Sequence, residues 1–556
     1  MKKRITMKNL YILCVVLFLL NGFSASSAEN INERVFIYTD KDCYVVGEDI
    51  WMKFCVMTPE LKLSTLSKVG YIEISDTQKP HLQLKLALKN GTGSGKVRIS
   101  ENIPSGIYEL SGYTRFMKNE GAQVVFKRKI AIINPGQRPD QKKVKLNEDA
   151  AFSEESPKNQ GNVKIKTDKN TYQGREKVNL SLESLSQGLS ELVVSVKRND
   201  VIALVEKPDN QSWLKQVKQL SPAISNEWLP EYEGHVITGE FTGNASSNVS
   251  SSLSVVGGTI NYIPGLLSYD NKTSSFYTDG IYGSQEVVTS VSDHLSEESQ
   301  PQQLTIVSPY ANYLPEYLPE LQLKIDSSLL AERYLGAQLT SDIILYQTVD
   351  LDRYAPTHRY DLDEYTRFPT LSETILEFVY MVKISRMNNE RRFRIFSREL
   401  NGFTTSSTLV LLDGVPVFDH ESLINYNPFL LRKIEVFDGR YAFGDKVYEG
   451  VLFFTTHKKD LLNYQLDQRS LLFKYDFPSL PVPFASPDYS NDNLLNSRIP
   501  DFRHTLYWNP DVKIEIGKSV ELSFYTSDLK GNFEISIEGL DSEGKLVSGT
   551  AYFEVK

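Results

Sequence analysis

A short motif that occurs twice constrains this chain more than any other feature. Thr39-Asp40-Lys41 is followed by Tyr44, and Thr167-Asp168-Lys169 by Tyr172. Each copy leads through a charged turn into apolar–polar alternation, IWMKFCV after the first and VNLSLES after the second. The copies stand too far apart to be turns of a solenoid, so the repeated unit is a whole domain. An Asp that favours the turn and a Tyr that packs over it predict two strands joined by a polar turn at the start of a β-sandwich.

The surrounding sequence extends that expectation. Between residues 29 and 136, VFIYT, IWMKFCV, GYIEI, LQLKLAL, GKVRI, GIYELSGYTRF and AQVVFKRKIAII read as short strands between turn signals, an all-β sandwich pattern. Residues 137–160 are polar and read as a linker. A second β unit covers 161–229, with the amphipathic stretch Trp213–Leu220 predicting a short helix. A third sandwich covers 230–308, and a connector punctuated by Leu314-Pro315-Glu316 and Leu318-Pro319-Glu320 covers 309–360. In 361–460 the character changes to α+β. Thr370 and Glu373 form a capping-box pair ahead of TILEFVYMV, which predicts a helix. Leu409–Leu412 and Ile434–Phe437 read as strands that end in the turn dipeptides Asp413-Gly414 and Asp438-Gly439, and VLFFTT as a third. Residues 461–556 return to strands and predict a C-terminal sandwich. The fold class expected is mainly β, tandem β-sandwiches with one small α+β domain.

The first residues set the compartment. Lys2, Lys3, Arg4 and Lys8 precede the apolar run Leu10–Leu20, and Ser26-Ser27-Ala28 supplies small residues for cleavage. Residues 1–28 therefore read as a signal peptide of an exported protein, expected in the periplasm or associated with an outer membrane. The apolar run is about half the roughly 20 residues that span a bilayer, and no later segment is long or apolar enough, so the mature chain is expected to have no transmembrane segment. Formal net charge is −9 and pI is near 5.5, which argues against a nucleic-acid partner. Past the leader only Cys43 and Cys55 remain, expected as two separate thiols.

No motif points to catalysis. Asn90 to Lys96 (NGTGSGK) lacks the first Gly and the final Ser/Thr of a phosphate loop and lies between strands, so it reads as a flexible hairpin turn. The histidines show no zinc-binding spacing and read as surface or loop residues. There is no G-x-S-x-G and no C-x-x-C. No cofactor, no metal site and no catalytic residue is expected.

Two resemblances sharpen the reading. Tyr38-Thr39-Asp40-Lys41, Tyr44, Gly47-Glu48, Ile50-Trp51 and Lys53, with Ser105-Gly106-Ile107-Tyr108 and Tyr113-Thr114-Arg115, resemble a macroglobulin-type domain of the alpha-macroglobulin family. The second copy resembles a more divergent one, with Arg175-Glu176 for Gly47-Glu48 and Asn179 for Trp51. The family's Gly-Cys-Gly-Glu-Gln thioester is absent, so the resemblance implies no covalent trapping. The run LVLLDGVPV from Leu409, then Leu431-Arg432-Lys433-Ile434-Glu435-Val436, Gly444 and Glu449-Gly450-Val451-Leu452, resembles the plug domain of TonB-dependent outer-membrane receptors. Residues 461–556 are too few to form a transporter barrel behind it. The function implied is a non-enzymatic envelope accessory protein whose plug-like domain docks on an outer-membrane protein such as a β-barrel. The contact residues expected are Asp413, Gly414, Val415, Pro416, Asp438, Gly439 and Arg440. The alternative is a surface adhesin or glycan-binding protein, since aromatic faces stack on sugars and proteins.

Overall fold

The computed structural model describes residues 32–147, 160–184, 190–199, 202–205, 213, 225, 227–242, 249–293, 303–324, 327–339, 354–387, 390–404, 408–443, 446–515, 517–541 and 544–556. The expected leader, and residues 214–220 of the expected helix at Trp213, lie outside them. The protein is mainly β, as its alternating sequence implies. In the first sandwich one sheet comprises Arg34–Thr39, Asp49–Met57 and Thr92–Arg98. The other orders Cys43–Val45, Phe126–Ile133, Gly106–Tyr113, Val69–Ser75 and Pro80–Ala87. Phe36, Phe54, Tyr71 and Phe126 fill the space between. The sheets approach closely where Gly112 lies, since a Cβ there would sit 2.3 Å from the Ile37 side chain. The NGTGSGK run is mostly strand rather than flexible turn. Only Asn90 and Gly91 take the left-handed turn conformation (φ 54° and 81°), and from Thr92 the run pairs with Asp49–Met57. A Cβ on Gly95 would lie 2.5 Å from Leu86, so packing explains this glycine better than flexibility does.

The repeat proves to be a hydrogen-bonded device built twice. Tyr44 Oη donates to Asp40 Oδ1 at 2.8 Å, and Tyr172 Oη to Asp168 Oδ1 at 2.7 Å. The same carboxylates accept from the backbone N–H of Trp51 (3.1 Å) and Asn179 (2.9 Å). Lys41 and Lys169 donate their backbone N–H to the respective tyrosine oxygens. Glu48 and Glu176 accept from the backbone of Val45 and Gln173. Gly47 and Arg175 both sit at positive φ (86° and 59°), so the left-handed position is kept although the glycine is not. The copies differ in surroundings. Asp40 is buried and its carboxylate also accepts from Thr505 Oγ1 at 3.0 Å, whereas Asp168 and Lys169 are exposed.

Strand pairing redraws the boundaries expected along the chain. Residues 161–229 and 461–556 are not two separate units, because their strands interleave in one sandwich. Ser190–Arg198 lies between Thr505–Ile514 and Gly531–Asp541, and Lys177–Ser184 lies between Val163–Thr167 and Ser519–Tyr525. The expected linker 137–160 contains the strand Val144–Asn147, which pairs in parallel with Leu321–Lys324 from the expected connector. That connector also carries the helix Ser327–Leu339. The third sandwich borrows Ser470–Asp476, which pairs with its strand Ser284–Asp293. Alternation marks a strand and its buried face but carries no record of its partner. Among the described residues no helix is long and apolar enough to cross a membrane. Cys43 and Cys55 are free thiols.

Histidines expected at the surface are in part buried. His235 and His504 are almost wholly enclosed. His235 sits where the first and third sandwiches meet, with Nδ1 2.9 Å from Glu231 Oε1 and Nε2 2.8 Å from Tyr475 Oη. Glu231 also accepts from Tyr71 Oη and from the backbone of Val236. Lys85, over the Tyr475 ring, and Arg115 complete the charged surroundings. Burial holds the His235 imidazole below its ordinary value, with Glu231 pulling the other way. The unfolded chain takes up this proton near pH 6.5, roughly, and the folded chain only lower. The stability that neutral His235 contributes is therefore whole above about pH 6.5 and is lost as pH falls towards its folded value. Replacing His235 with Gln is expected to flatten the decline of Tm between about pH 7.5 and pH 5.5. Thermal melts of both chains across that window check this.

Candidate functional site

The α+β unit forms a sheet in the order His358–Asp361, Leu431–Phe443, Lys446–Thr456, Thr408–Leu412 and Val415–Pro416. A second small sheet, Val382–Met387, Glu390–Ser397 and Gly402–Phe403, and the helices Leu371–Phe378 and His420–Ile424 pack with it. The expected capping box is present in full. Thr370 Oγ1 accepts from the Glu373 N–H, and Glu373 Oε2 accepts from the Thr370 N–H.

The residues expected to contact a partner divide into two groups. Asp413, Gly414, Val415 and Pro416 are buried, which removes them as a docking surface. Asp413 and Gly414 make the left-handed turn that their residue types imply (φ 46° and 85°). The Asp413 carboxylate accepts from Thr456 N (2.8 Å), Thr456 Oγ1 (2.6 Å) and Leu461 N (2.9 Å). Burial pushes its carboxyl above the ordinary value against the pull of those donors. The turn presses on the third sandwich, where Gly257 N donates to Asp413 O at 2.9 Å. A Cβ on Gly414 would lie 2.6 Å from Val255 O. These residues join parts of this chain to each other.

Asp438, Gly439 and Arg440 do reach the surface, but not as the loop expected. They form a bulge inside the long strand Leu431–Phe443, which continues its pairing from Tyr441. Asp438 is held by Thr357 Oγ1 at 3.1 Å and by Arg398 at 3.2 Å. Arg440 is exposed and lies 3.5 Å from Glu399.

The more prominent surface feature of the unit is apolar. Leu371, Ile375 and Val379 face the core at helical spacing. Leu376 and Tyr380, one position out of that phase, are 81% and 70% exposed. Tyr365 stacks on Phe378 with ring centroids 4.3 Å apart, and Tyr380 meets the Tyr360 ring edge-on. Arg367 donates to the carbonyls of Pro428 and Leu431 and so brings the exposed Phe429 segment alongside. The same segment carries Asp363, Glu364, Glu373 and Glu377, all exposed, of which Asp363 pairs with Arg367. An apolar centre with an acidic rim is the anatomy of a protein-binding patch. The signal for it was in the sequence, because Leu376 and Tyr380 are apolar residues out of phase with the buried stripe.

No protein-family model matches the chain, and no curated protein is significantly similar to it. Among solved structures, Escherichia coli alpha-2-macroglobulin activated by porcine elastase aligns at 7% identity over 94% of this chain and 44% of that one, with a TM-score of 0.24. A Salmonella alpha-2-macroglobulin reacted with methylamine aligns at 7% identity over 96% of this chain and 24% of that one, with a TM-score of 0.16. The Escherichia coli adhesin FdeC aligns at 11% identity over 51% of this chain and 66% of that one, with a TM-score of 0.14. The chain thus spans less than half the length of these macroglobulins. Scores this low leave its fold and activity to be argued from its own residues.

The two groups of residues are expected to respond differently to substitution. Asp413→Ala strands buried donors and is expected to destabilise the protein by about 2–4 kcal/mol. Leu376→Asp and Tyr380→Asp, at exposed positions, are expected to change stability by less than about 0.5 kcal/mol. Urea denaturation of the three variants checks both expectations.

Proposed function

We propose that this chain is an exported, non-enzymatic binding protein of the cell envelope whose α+β unit docks on an outer-membrane protein, such as a β-barrel. The observation that carries the proposal is the acid-rimmed apolar patch around Leu376 and Tyr380. It calls for a partner with an apolar surface bordered by basic residues. The leader-like residues 1–28 and the resemblance of the unit at 361–460 to a receptor plug favour the outer membrane as the place to find it. The macroglobulin-like sandwiches would act as spacers that hold the unit in position.

Neither thiol has the chemistry of a nucleophile. Burial pushes both Cys43 and Cys55 up to about 11, away from the depressed value of a nucleophile. His420 is driven down to about 4, first by burial and then by Arg392. It accepts a hydrogen bond from the backbone of Phe393. It thus serves a structural contact.

The test is affinity purification of the tagged protein from solubilised outer membranes. A barrel protein in stoichiometric amount is expected, and the double variant Leu376→Asp, Tyr380→Asp should recover at least about tenfold less of it. Equal recovery by the double variant would remove the patch from the interface. Recovery of no partner, together with saturable binding of the purified chain to a glycan array, would transfer the function to surface glycan recognition.

A further inference from the structure

A polar cleft of about 370 Å³ lies between the first sandwich and the interleaved one. Its floor belongs to the sheet that contains Ser190–Arg198, Gly531–Asp541 and Leu546–Val555. Ile535, Ile537, Val547 and Ala551 point into the core of the interleaved sandwich, so the residues that alternate with them face the first sandwich. Those residues are Glu534, Ser536 and Glu538 on one strand, and Ser548 and Thr550 on the next. Strand register aligns Trp508, Ser195, Ser536 and Thr550 in one row across four strands. Tyr38 and Arg128 of the first sandwich stand opposite this floor.

The cations of the cleft are all matched by carboxylates. Arg128 pairs with Asp42 at 2.5 Å and is also acted on by Glu538. Lys197 lies 3.7 Å from Glu534, and Arg198 lies 2.7 Å from Glu332. Arg333 pairs with Glu48 at 2.8 Å, and Lys41 with Asp40 at 3.4 Å. The walls therefore hold no spare positive charge for an anion. Several neutral groups, by contrast, lack partners. Trp508 is 3% exposed, and its Nε1 donates to nothing among the described residues. Tyr38 is 4% exposed, and its hydroxyl makes no hydrogen bond among them. The side-chain hydroxyls of Ser536, Ser548 and Thr550 are likewise unpaired among the described residues. Ser536 and Thr550 are half-buried, and Ser548 is exposed at the mouth. Enclosed polar groups are ordinarily hydrogen-bonded, so a cleft lined by unpaired ones calls for an occupant that supplies the bonds.

We infer that this cleft binds a small neutral saccharide, its hydroxyls bonded to Tyr38, Trp508, Ser536 and Thr550. A sugar hydroxyl both donates and accepts, which suits the donor-only indole and the two-way hydroxyls of the protein alike. An uncharged ligand leaves the ion pairs of the walls in place, where a charged one would have to break them. The volume is that of a small-molecule site. The cleft is separate from Leu376 and Tyr380, and its ligand does not depend on docking there.

The experiment is calorimetric titration of the mature full-length chain with maltose, cellobiose and N,N′-diacetylchitobiose. Saturable binding of at least one is expected, and the double variant Leu376→Asp, Tyr380→Asp should bind it equally well. Ser536→Ala combined with Thr550→Val removes hydroxyls that hold nothing else in the protein. Tm should therefore stay unchanged while affinity for the sugar falls about tenfold or more. Trp508→Phe removes the indole donor and should weaken binding by a similar factor, and it is the second variant should the first fail to fold. No saturable binding of any of the three sugars would overturn the inference and leave the cleft to water. Full affinity in a folded Ser536→Ala, Thr550→Val chain or a folded Trp508→Phe chain would overturn it as well. So would loss of sugar binding in the Leu376→Asp, Tyr380→Asp chain, which would move the sugar to the other surface.

Discussion

The carboxylate of Asp40 ties the first sandwich to the interleaved one. It accepts from the Tyr44 hydroxyl, the Trp51 amide and the Thr505 hydroxyl, and the backbone oxygen of the same residue accepts from Ser195. These partners come from the first sandwich and from both distant segments that build the interleaved one. A buried carboxylate is tolerated only when its oxygens are satisfied, so none of these contacts can be given up cheaply. Lys53 reinforces the junction by donating to the carbonyl of Pro510 and pairing with Asp511. At the far end of the motif, the Glu48–Arg333 pair anchors the helix Ser327–Leu339 to the same turn. The motif is thus a joint between sandwiches as well as a turn within one.

Interleaving carries that joint through the rest of the chain. The strand Ser190–Arg198 lies between two strands that arrive more than three hundred residues later. The third sandwich is completed by Ser470–Asp476 and touches the first where Tyr71 Oη donates to Glu231 of the Glu231–His235–Tyr475 cluster. The α+β unit presses its Asp413-Gly414 turn onto the third sandwich. The outcome is a connected frame that holds the apolar face of Leu376 and Tyr380 outward, and a presented face of this kind is what a docking protein needs.

Local chemistry was legible in the sequence, and long-range pairing was not. The capping box at Thr370, the Asp413-Gly414 turn and the strands of the first sandwich each follow from neighbouring residues. The linker, the connector and the separate C-terminal sandwich did not survive, because Val144–Asn147, Leu321–Lys324 and Ser470–Asp476 show a strand pattern without showing whose edge they complete. The Asp413–Pro416 part of the expected contact surface proved buried for a related reason. Asp413 and Gly414 look like an exposed turn in isolation, and only the approach of Val255 and Gly257 buries them. The sequence did hold the phase mismatch of Leu376 and Tyr380, but an apolar residue is ordinarily read as core.

Hydrogen–deuterium exchange of the mature protein, alone and with solubilised outer membranes from the same cells, tests the docking account most directly. Slowed exchange confined to segments 362–380 and 428–432, with the sandwich cores unchanged, is the result the account predicts. Unchanged exchange in those segments, or protection only on the sandwiches, would contradict it.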